Sequence, residues 1–329
     1  MRRLLRMLGP LAGAAAAVIA IAAAVTVAAA PPAAAPLHVD QVAPGVYVHI
    51  GRHQDFEDGY DGDIANIGFV VGSDAVAVID TGGSYAVGMA LKQAVRKVTQ
   101  LPIRYVINTH VHPDHVFGNA AFIDTDDART GTPSGAPPQL IGHAALPRAM
   151  ASRRDAYLRN LDRQLGAAAE KSTLLAPGVT VQDRLRLDLG QRTLVLTAWP
   201  AAHTDNDLTV CDPTTGTLWT GDLLFIERTP ALDGDIDGWL AAIATLETTP
   251  AATTIPGHGP VTRDKHGALA RQRAYLTALL RDVRASIRRG TDMTATMATA
   301  AAAERGRWRL FDVVNRRNVN VLYPVLEWE

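Results

Sequence analysis

The sequence predicts a single α/β domain in which helices pack on a layered β-sheet. Short apolar segments of strand length alternate with longer segments whose apolar residues recur every three or four positions. The chain has 329 residues, of which 47% are hydrophobic and 20% charged, so it can bury a sizeable core. Strands and candidate site residues occur in both halves of the chain, which favours one domain.

The first 29 residues are predicted to form a secretory signal peptide, followed by a spacer over residues 30–40. Three arginines within the first six residues precede an uncharged, alanine-rich run over residues 11–30. A basic start, an apolar middle and small residues at the end are typical of export signals, so we expect a periplasmic protein. The apolar run is close to the ~20 residues that span a bilayer. If it were not cleaved it would anchor the protein in a membrane, and the sequence predicts no other membrane contact.

Charge and cysteine content narrow the classes of partner. The 32 Lys and Arg residues nearly balance the 33 Asp and Glu residues, and nothing in that balance suggests a nucleic-acid partner, which would need a clustered basic surface. Cys211 is the single cysteine, so an exported form has no internal disulfide and depends on its core. We therefore expect a small-molecule substrate and no nucleic acid.

The region over residues 41–262 begins with two strands. Val42 to His49 and Ile67 to Val71 are predicted strands, and the loop between them, Gly51 to Asn66, is acidic, rich in glycine and flexible.

A strand, a helix and another buried strand come next. Asp74 to Asp80 is a predicted buried strand, and Ser84 is the predicted N-cap of a helix that ends near Thr99, with its apolar residues on one face. Tyr105 to Asn108 is the next buried strand. This order indicates a layered α/β sheet.

Later segments continue the pattern. Leu146 to Leu165 is a predicted surface or lid helix, and Asp124 to Pro138 is a predicted exposed loop. Residues 263–329 are predicted to be C-terminal helices and a tail on the same domain, with one long amphipathic helix ending at Gly290. Further short strands are predicted at Gln139–Gly142, Arg184–Leu189, Thr193–Ala198, Leu208–Cys211, Thr217–Thr220 and Thr253–Ile255.

The strongest functional signal is the segment Asn108 to His115, which reads Asn-Thr-His-Val-His-Pro-Asp-His. Imidazole and carboxylate groups suit zinc and similar borderline metals. His110 and His112 are two residues apart in an extended segment, so their side chains point the same way and can share one metal. Asp114 and His115 follow a proline that turns the chain into a helix, so they can face a second metal. Isolated surface histidines are common, but this cluster behind an apolar strand favours a metal site.

Three further candidate ligands, His203, Asp222 and His258, each lie near the end of a predicted strand. Taken singly they are weak, because Gly-Asp is usually a turn and Gly-His-Gly usually a loop. Glycines beside Asp222 and His258 allow the backbone to approach a crowded centre. Their order after the first motif strengthens all three together.

This order of residues resembles the metallo-β-lactamase superfamily over residues from about 42 to 260. The resemblance implies a four-layer αββα sandwich and a metal centre with two zinc ions. It implies that the first zinc binds His110, His112 and His203. It implies that the second zinc binds Asp114, His115 and His258, and that Asp222 bridges the two.

The same resemblance assigns other roles. Asp80 matches a structural aspartate behind the site and is not expected to bind metal. Asp114 is the expected catalytic residue. The loop that carries His53, Asp55 and Tyr60 flanks the cleft in this fold, so these three are candidate substrate-loop residues.

A closer resemblance is to the quinoprotein relay system zinc metallohydrolases, which are exported members of the superfamily. Its implied partner is a periplasmic quinoprotein dehydrogenase or cytochrome, and it leaves the substrate open. The residues that carry it are 63–69, 108–119, 203–208, 305–309 and 326–329.

The chemistry implied is hydrolysis. Two zinc ions lower the pKa of a shared water from ~15.7 to about 7 and polarise a carbonyl, while Asp114 orients the water or accepts its proton. An ester, thioester, lactone or amide would be cleaved.

Three alternatives stay open. The stretch His203 to Asn206 is similar to one in some β-lactamases, which implies β-lactam hydrolysis as one alternative. A mononuclear iron dioxygenase acting on persulfides would need two histidines and one carboxylate. A non-catalytic partner of a quinoprotein would keep the metal for structure or for ligand binding.

Overall fold

The computed structural model describes residues 37–56, 59–123 and 137–329. The predicted signal peptide over residues 1–29, most of the predicted spacer and most of the predicted loop over residues 124–138 lie outside the described residues. Within the described ranges, every helix is too short or too polar to cross a lipid bilayer.

Two β-sheets form the centre of the fold. The first sheet contains β1 (Asp40–Ala43), β2 (Val46–His49), β3 (Ile67–Val71), β4 (Val76–Ile79), β5 (Ile103–Ile107), β6 (Gln139–His143) and β7 (Val179–Val181). Its strands lie in sequence order, antiparallel from β1 to β4 and parallel from β4 to β7. The second sheet contains β8 (Arg184–Asp188), β9 (Thr193–Ala198), β10 (Leu208–Asp212), β11 (Thr217–Phe225) and β12 (Thr253–His258). Its order is β12-β11-β10-β9-β8, and only the β11–β12 pair is parallel.

Helices cover the outer face of each sheet. The α-helices of the described residues are α1 (Tyr85–Val98), α2 (Pro113–Val116), α3 (Ala120–Ile123), α4 (Leu146–Leu165), α5 (Ile236–Thr248), α6 (Lys265–Arg288), α7 (Met293–Thr299) and α8 (Phe311–Leu326). On the first sheet, Leu91 and Val95 of α1 belong to one buried cluster with Phe69 of β3. On the second sheet, Trp239 of α5 and Tyr275 of α6 belong to one buried cluster with strand β11 and helix α8.

The two sheets face each other across a shared apolar core. Val48 and Ile107 of the first sheet pack in one cluster with Leu196, Val210 and Trp219 of the second, and all five are almost fully buried. The layers therefore run helix, sheet, sheet, helix, and the predicted αββα sandwich is confirmed.

Three local features differ from the sequence expectations. Val42 to His49 is not one strand but the hairpin β1–β2, because Gly45 adopts φ +70° and reverses the chain. Strand β7 was not anticipated because it has only three residues. Helix α5 was not anticipated, although Ile236, Trp239, Ile243 and Leu246 recur at helical spacing and form its buried face. Asp235, which accepts a hydrogen bond from the Gly238 amide as its N-cap, was a second available signal.

Candidate metal centre

Three imidazoles converge where β5 ends beside the second sheet. His110 Nε2 lies 3.1 Å from His112 Nδ1, and His203 Nε2 lies 3.0 Å from the same atom. His110 and His203 are buried and His112 is partly buried. Three ring nitrogens that meet at one point suit a shared cation.

A second group lies beside the first. Asp114 Oδ2 is 3.6 Å from His115 Nε2 and 3.4 Å from His258 Nε2. One ligand atom from each of these three residues lies within 4.8 Å of the others, as do those of His110, His112, His203 and Asp222. The structure thus brings together all seven residues that the sequence singled out.

Asp222 lies between the two groups. Its Oδ2 atom is 3.4 Å from His203 Nε2 and 3.6 Å from His110 Nε2 on one side, and 3.3 Å from His258 Nε2 on the other. Its Oδ1 atom faces His115 Nε2 at 3.3 Å, yet both atoms are buried and neither makes a hydrogen bond among the described residues. Buried polar atoms without partners are rare, and a bound cation between them would satisfy both.

Asp222 was expected near the end of a short strand, but it lies inside β11, which extends to Phe225. Gly221 interrupts the β11–β12 register next to it and adopts φ +50°. A Cβ atom at Gly221 would lie 2.7 Å from the Cβ of Thr109, so only glycine allows the two sheets to approach here.

Each of the five imidazoles uses its other ring nitrogen to contact a supporting group. These contacts fix the ring orientation and leave the inward nitrogen free for a metal. They are His110 Nδ1 with Thr109 Oγ1 (3.0 Å), His112 Nε2 with Asp233 Oδ2 (3.1 Å), His115 Nδ1 with Asp80 Oδ2 (2.8 Å), His203 Nδ1 with the Ala231 carbonyl (2.7 Å) and His258 Nδ1 with the Ile64 carbonyl (2.8 Å).

Asp80 lies behind the site rather than in it. It accepts hydrogen bonds from the Thr109 amide (2.8 Å) and hydroxyl (2.7 Å), in addition to its contact with His115. It is 1% exposed and adopts φ +52°, a conformation that Asp and Asn tolerate better than most residues. One carboxylate thereby positions both the start of the His-rich segment and its last histidine.

Electrostatics of the cluster favour a bound positive charge. Burial lowers the pKa of His203 to about 3 and holds the pKa of His110 well below its usual value, so both imidazoles are neutral, as metal ligands must be. Burial opposes ionisation of Asp222, but neighbouring imidazoles, His258 first, keep its pKa well below the ordinary range. Burial opposes a charge on His115, but Asp222, Asp80 and Asp114 outweigh it and raise the pKa of His115 well above its usual value. The buried carboxylates thus require a positive charge among them, which a bound metal ion would supply.

A cavity of about 320 Å³ opens onto these residues. Phe117, Leu161 and Phe225 supply apolar wall, and α4 adds Tyr157 and Gln164. Of the candidate substrate-loop residues, Tyr60 lines the cavity.

The other two candidate loop residues do not line the cavity, although Arg317, the partner of Asp55, does. Asp55 pairs with Arg317 at 2.9 Å, and His53 Nε2 lies 3.5 Å from Glu227 Oε2.

Two cavity residues were not found from the sequence. Asp233 contacts His112 and also accepts a hydrogen bond from Arg153 of α4 at 3.1 Å. Arg228 is 6% exposed, and its Nη1 donates to the Gln54 carbonyl at 2.9 Å. No carboxylate forms an ion pair with Arg228 among the described residues. Neither residue lies in a motif, and only the fold brings each to the site.

Comparison with known proteins places this geometry in a family. The family model described as "Metallo-beta-lactamase superfamily" matches residues 60–258. A linear primary-alkylsulfatase from Pseudomonas sp. is 31% identical over 58 residues, which are 18% of this chain and 11% of that protein.

Solved structures agree in fold. The stereoselective inverting sec-alkylsulfatase Pisa1 from Pseudomonas sp. superposes with a TM-score of 0.66 at 20% identity, covering 88% of this chain and 50% of that one. A metallo-beta-lactamase from Pontibacter korlensis gives a TM-score of 0.55 at 20% identity, covering 73% of this chain and 99% of that one. The chain thus spans about half the length of the solved sulfatase that it matches.

Proposed function

Because the chain belongs to the metallo-beta-lactamase superfamily, we propose that it is a metal-dependent hydrolase of a small-molecule substrate. The observation that carries the proposal is the position of Asp222 Oδ2, 3.3–3.6 Å from imidazole nitrogens of both groups. A carboxylate so placed can contact two cations at once. We assign His110, His112 and His203 to one zinc ion, Asp114, His115 and His258 to a second, and Asp222 to both.

The residues around this metal centre have different roles. When bound, zinc supplies a Lewis acid and acidifies a water. Asp114 is 6% exposed and lines the cavity, so its carboxylate is placed to orient the attacking water and accept its proton. The apolar walls of the cavity lower the local polarity, which strengthens the electrostatic interactions inside.

Arg228 indicates the class of substrate. Asp114, Asp222 and Asp55 act on Arg228 electrostatically but make no ion-pair contact with it, so a ligand that brings an anion into contact would stabilise the buried guanidinium. Arginine binds carboxylate and sulfate groups through its planar donors. We therefore propose that the substrate carries an anionic group held by Arg228 and an ester, thioester, lactone or amide bond beside the metals.

A sulfate ester is the second candidate. The matched relatives include a linear primary-alkylsulfatase and a sec-alkylsulfatase, and the cavity here joins a cationic group to apolar wall. In this alternative the anion on Arg228 is the sulfate itself, and the apolar wall takes the alkyl group.

We also propose that the protein is exported to the periplasm and acts with a quinoprotein partner there. The basic start and the apolar run support export to the periplasm, and residues 305–309 and 326–329 support a link to a quinoprotein dehydrogenase or cytochrome. N-terminal sequencing of the protein from a periplasmic extract should begin near Ala30; an intact Met1 in the cytoplasm would contradict export.

The test is metal analysis followed by a substrate screen. Protein purified without chelator should contain close to two zinc ions per chain, and iron in their place would favour the dioxygenase. The screen should include carboxylate-bearing esters, thioesters, lactones and amides, alkyl sulfates and β-lactams. Hydrolysis of none of these by zinc-loaded protein would contradict the proposal.

Arg228→Gln provides the matched variant. Loss of a hydrogen bond to a charged group costs roughly 1.5–3 kcal/mol, so KM for the anionic substrate should rise about 10–150-fold with zinc content unchanged. Arg309→Gln is the control, because Arg309 pairs with Glu227 at 3.3 Å and does not line the cavity. Equal effects of the two variants would argue against anion recognition by Arg228.

A further inference from the structure

A second, larger cavity of about 590 Å³ lies between α6, the segment 302–308 and the ends of β11 and β12. None of the seven candidate metal ligands lines it. Its size falls in the range of sites for small organic molecules, about 300–1,000 Å³. Apolar side chains form much of its wall, among them Phe225, Ile226, Val261 and Trp308.

The charges around this cavity leave one cation without a partner. Glu304 pairs with Arg307 at 3.0 Å, and Glu227 pairs with Arg309 at 3.3 Å. Arg271 of α6 also lines the cavity, and its guanidinium makes no hydrogen bond or ion pair with any described residue. The four charged residues of the lining sum to zero, but Arg309 pairs with Glu227 from outside the cavity, so the guanidinium of Arg271 is left without an ion-pair partner among the described residues.

Trp308 adds an unpaired donor. The residue is 9% exposed, and its indole N–H is buried without an acceptor among the described residues. Buried tryptophan N–H groups usually have a partner. A ligand that supplies an acceptor would remove this deficit.

We propose that this cavity is a second ligand site that binds a small organic monoanion, a carboxylate on an aromatic or short aliphatic body. Arg271 holds the carboxylate, the apolar wall takes the body, and the Trp308 N–H meets an acceptor. The site is separate from the hydrolytic one and does not depend on the activity proposed above.

Phe225 connects the two cavities. It lines both, and its ring stacks on the imidazole of His258 with centroids 5.0 Å apart and planes 16° apart. A ligand in the second cavity therefore contacts a side chain that packs against a candidate metal ligand.

The test is calorimetric titration of the full zinc-loaded chain with 2-naphthoate. We expect one equivalent bound with Arg271 intact. Arg271→Gln should weaken binding about 10–150-fold, the effect of losing a charge-assisted hydrogen bond. Ala274→Phe should abolish binding by filling the cavity; Ala274 and Arg271 are exposed on α6, so both variants should fold with unchanged melting temperature.

Two control variants locate the probe. Arg288→Gln removes the same charge from an exposed position on the same helix, and binding should persist. Arg228→Gln alters the metal cavity, and binding should also persist. Binding that disappears with Arg228→Gln or with removal of zinc, but survives Arg271→Gln, would overturn the proposal, as would no binding at millimolar naphthoate.

Discussion

The two halves of the candidate metal centre are assembled in different ways. His110, His112, Asp114 and His115 lie close together in the chain, directly after β5. The second half comes from the other sheet, where His203 follows β9, Asp222 lies in β11 and His258 ends β12. One half is therefore a local motif, whereas the other exists only when the second sheet has formed.

The supports of the two halves also differ. Side chains hold the outer nitrogens of the first half, Asp80 for His115 and Asp233 for His112. Backbone carbonyls hold those of the second half, Ala231 for His203 and Ile64 for His258. In the first half, each supporting side chain can therefore be removed by a single mutation. In the second half, the supports are backbone carbonyls, so only mutation of a ligand or a shift of the backbone changes the contacts.

The largest expected effect is that of Asp222→Asn, in the second half. The amide keeps the shape but loses the negative charge between two cations that otherwise repel. Mutation of even a supporting residue at a metal site commonly lowers affinity or activity ~10–100-fold, so Asp222→Asn should lower them at least as much. Zinc content and hydrolysis rate should both fall, with the second zinc lost first.

The control is Asp205→Asn, which removes a charge near the site from a residue paired with Arg148 at 3.0 Å. A full complement of zinc and full activity in Asp222→Asn would contradict the bridging role and favour a mononuclear site on His110, His112 and His203.

Asp80→Asn tests the side-chain support of the first half and should have a smaller effect. Asn tolerates the positive φ of this position, so the backbone should keep its path. The loss of charge weakens the acceptor for His115 Nδ1 and for Thr109, and we expect about tenfold weaker zinc binding. Competition with a chelator measures it.

Asp74→Asn, at an exposed position before β4, provides the matched control. A lower melting temperature with unchanged zinc affinity in Asp80→Asn would mean that Asp80 supports the fold and not the metal ligands.

The same contrast explains what the sequence could predict. The segment from His110 to His115 can be identified from the sequence because its spacing alone brings four candidate ligands of two types, histidine and aspartate, together. His203, Asp222 and His258 are readable only through their order in a family pattern. Arg228 and Asp233 carried no signal, because their positions beside the site depend on the path of the chain after β11 and on helix α4.

The predicted length of β11 was wrong for a related reason. Local apolar patterning ended β11 at Thr220, but pairing with β12 on one side carries the strand through Gly221 to Phe225. A layered α/β arrangement was predictable because alternating apolar strands and amphipathic helices must bury one face each, whereas the four αββα layers were implied only by the family resemblance.

The smallest expected effect concerns the loop over residues 51–66. This loop supports the second half of the metal centre because its Ile64 carbonyl contacts His258 Nδ1. His49 donates to Asp63 Oδ1 at 2.7 Å beside the base of this loop. Burial opposes the charge on His49, but the hydrogen bond and charge of Asp63 outweigh it and raise its pKa. The contribution to stability is therefore fully present below the unfolded pKa, about 6.5, and is lost as the pH rises through the folded pKa.

Partly exposed ion pairs contribute roughly 1 kcal/mol or less, which corresponds to about 2–4 °C or less in melting temperature. Between pH 6 and pH 9, the melting temperature of the parent should therefore fall by up to about 2–4 °C more than the melting temperature of His49→Gln falls. His38→Gln removes a histidine from an exposed pair with Asp40 and should leave the pH dependence of the parent unchanged. If His49→Gln lost the same stability at both pH values, the histidine would act by packing alone, and the loop would hold His258 without any contribution from the charge on His49.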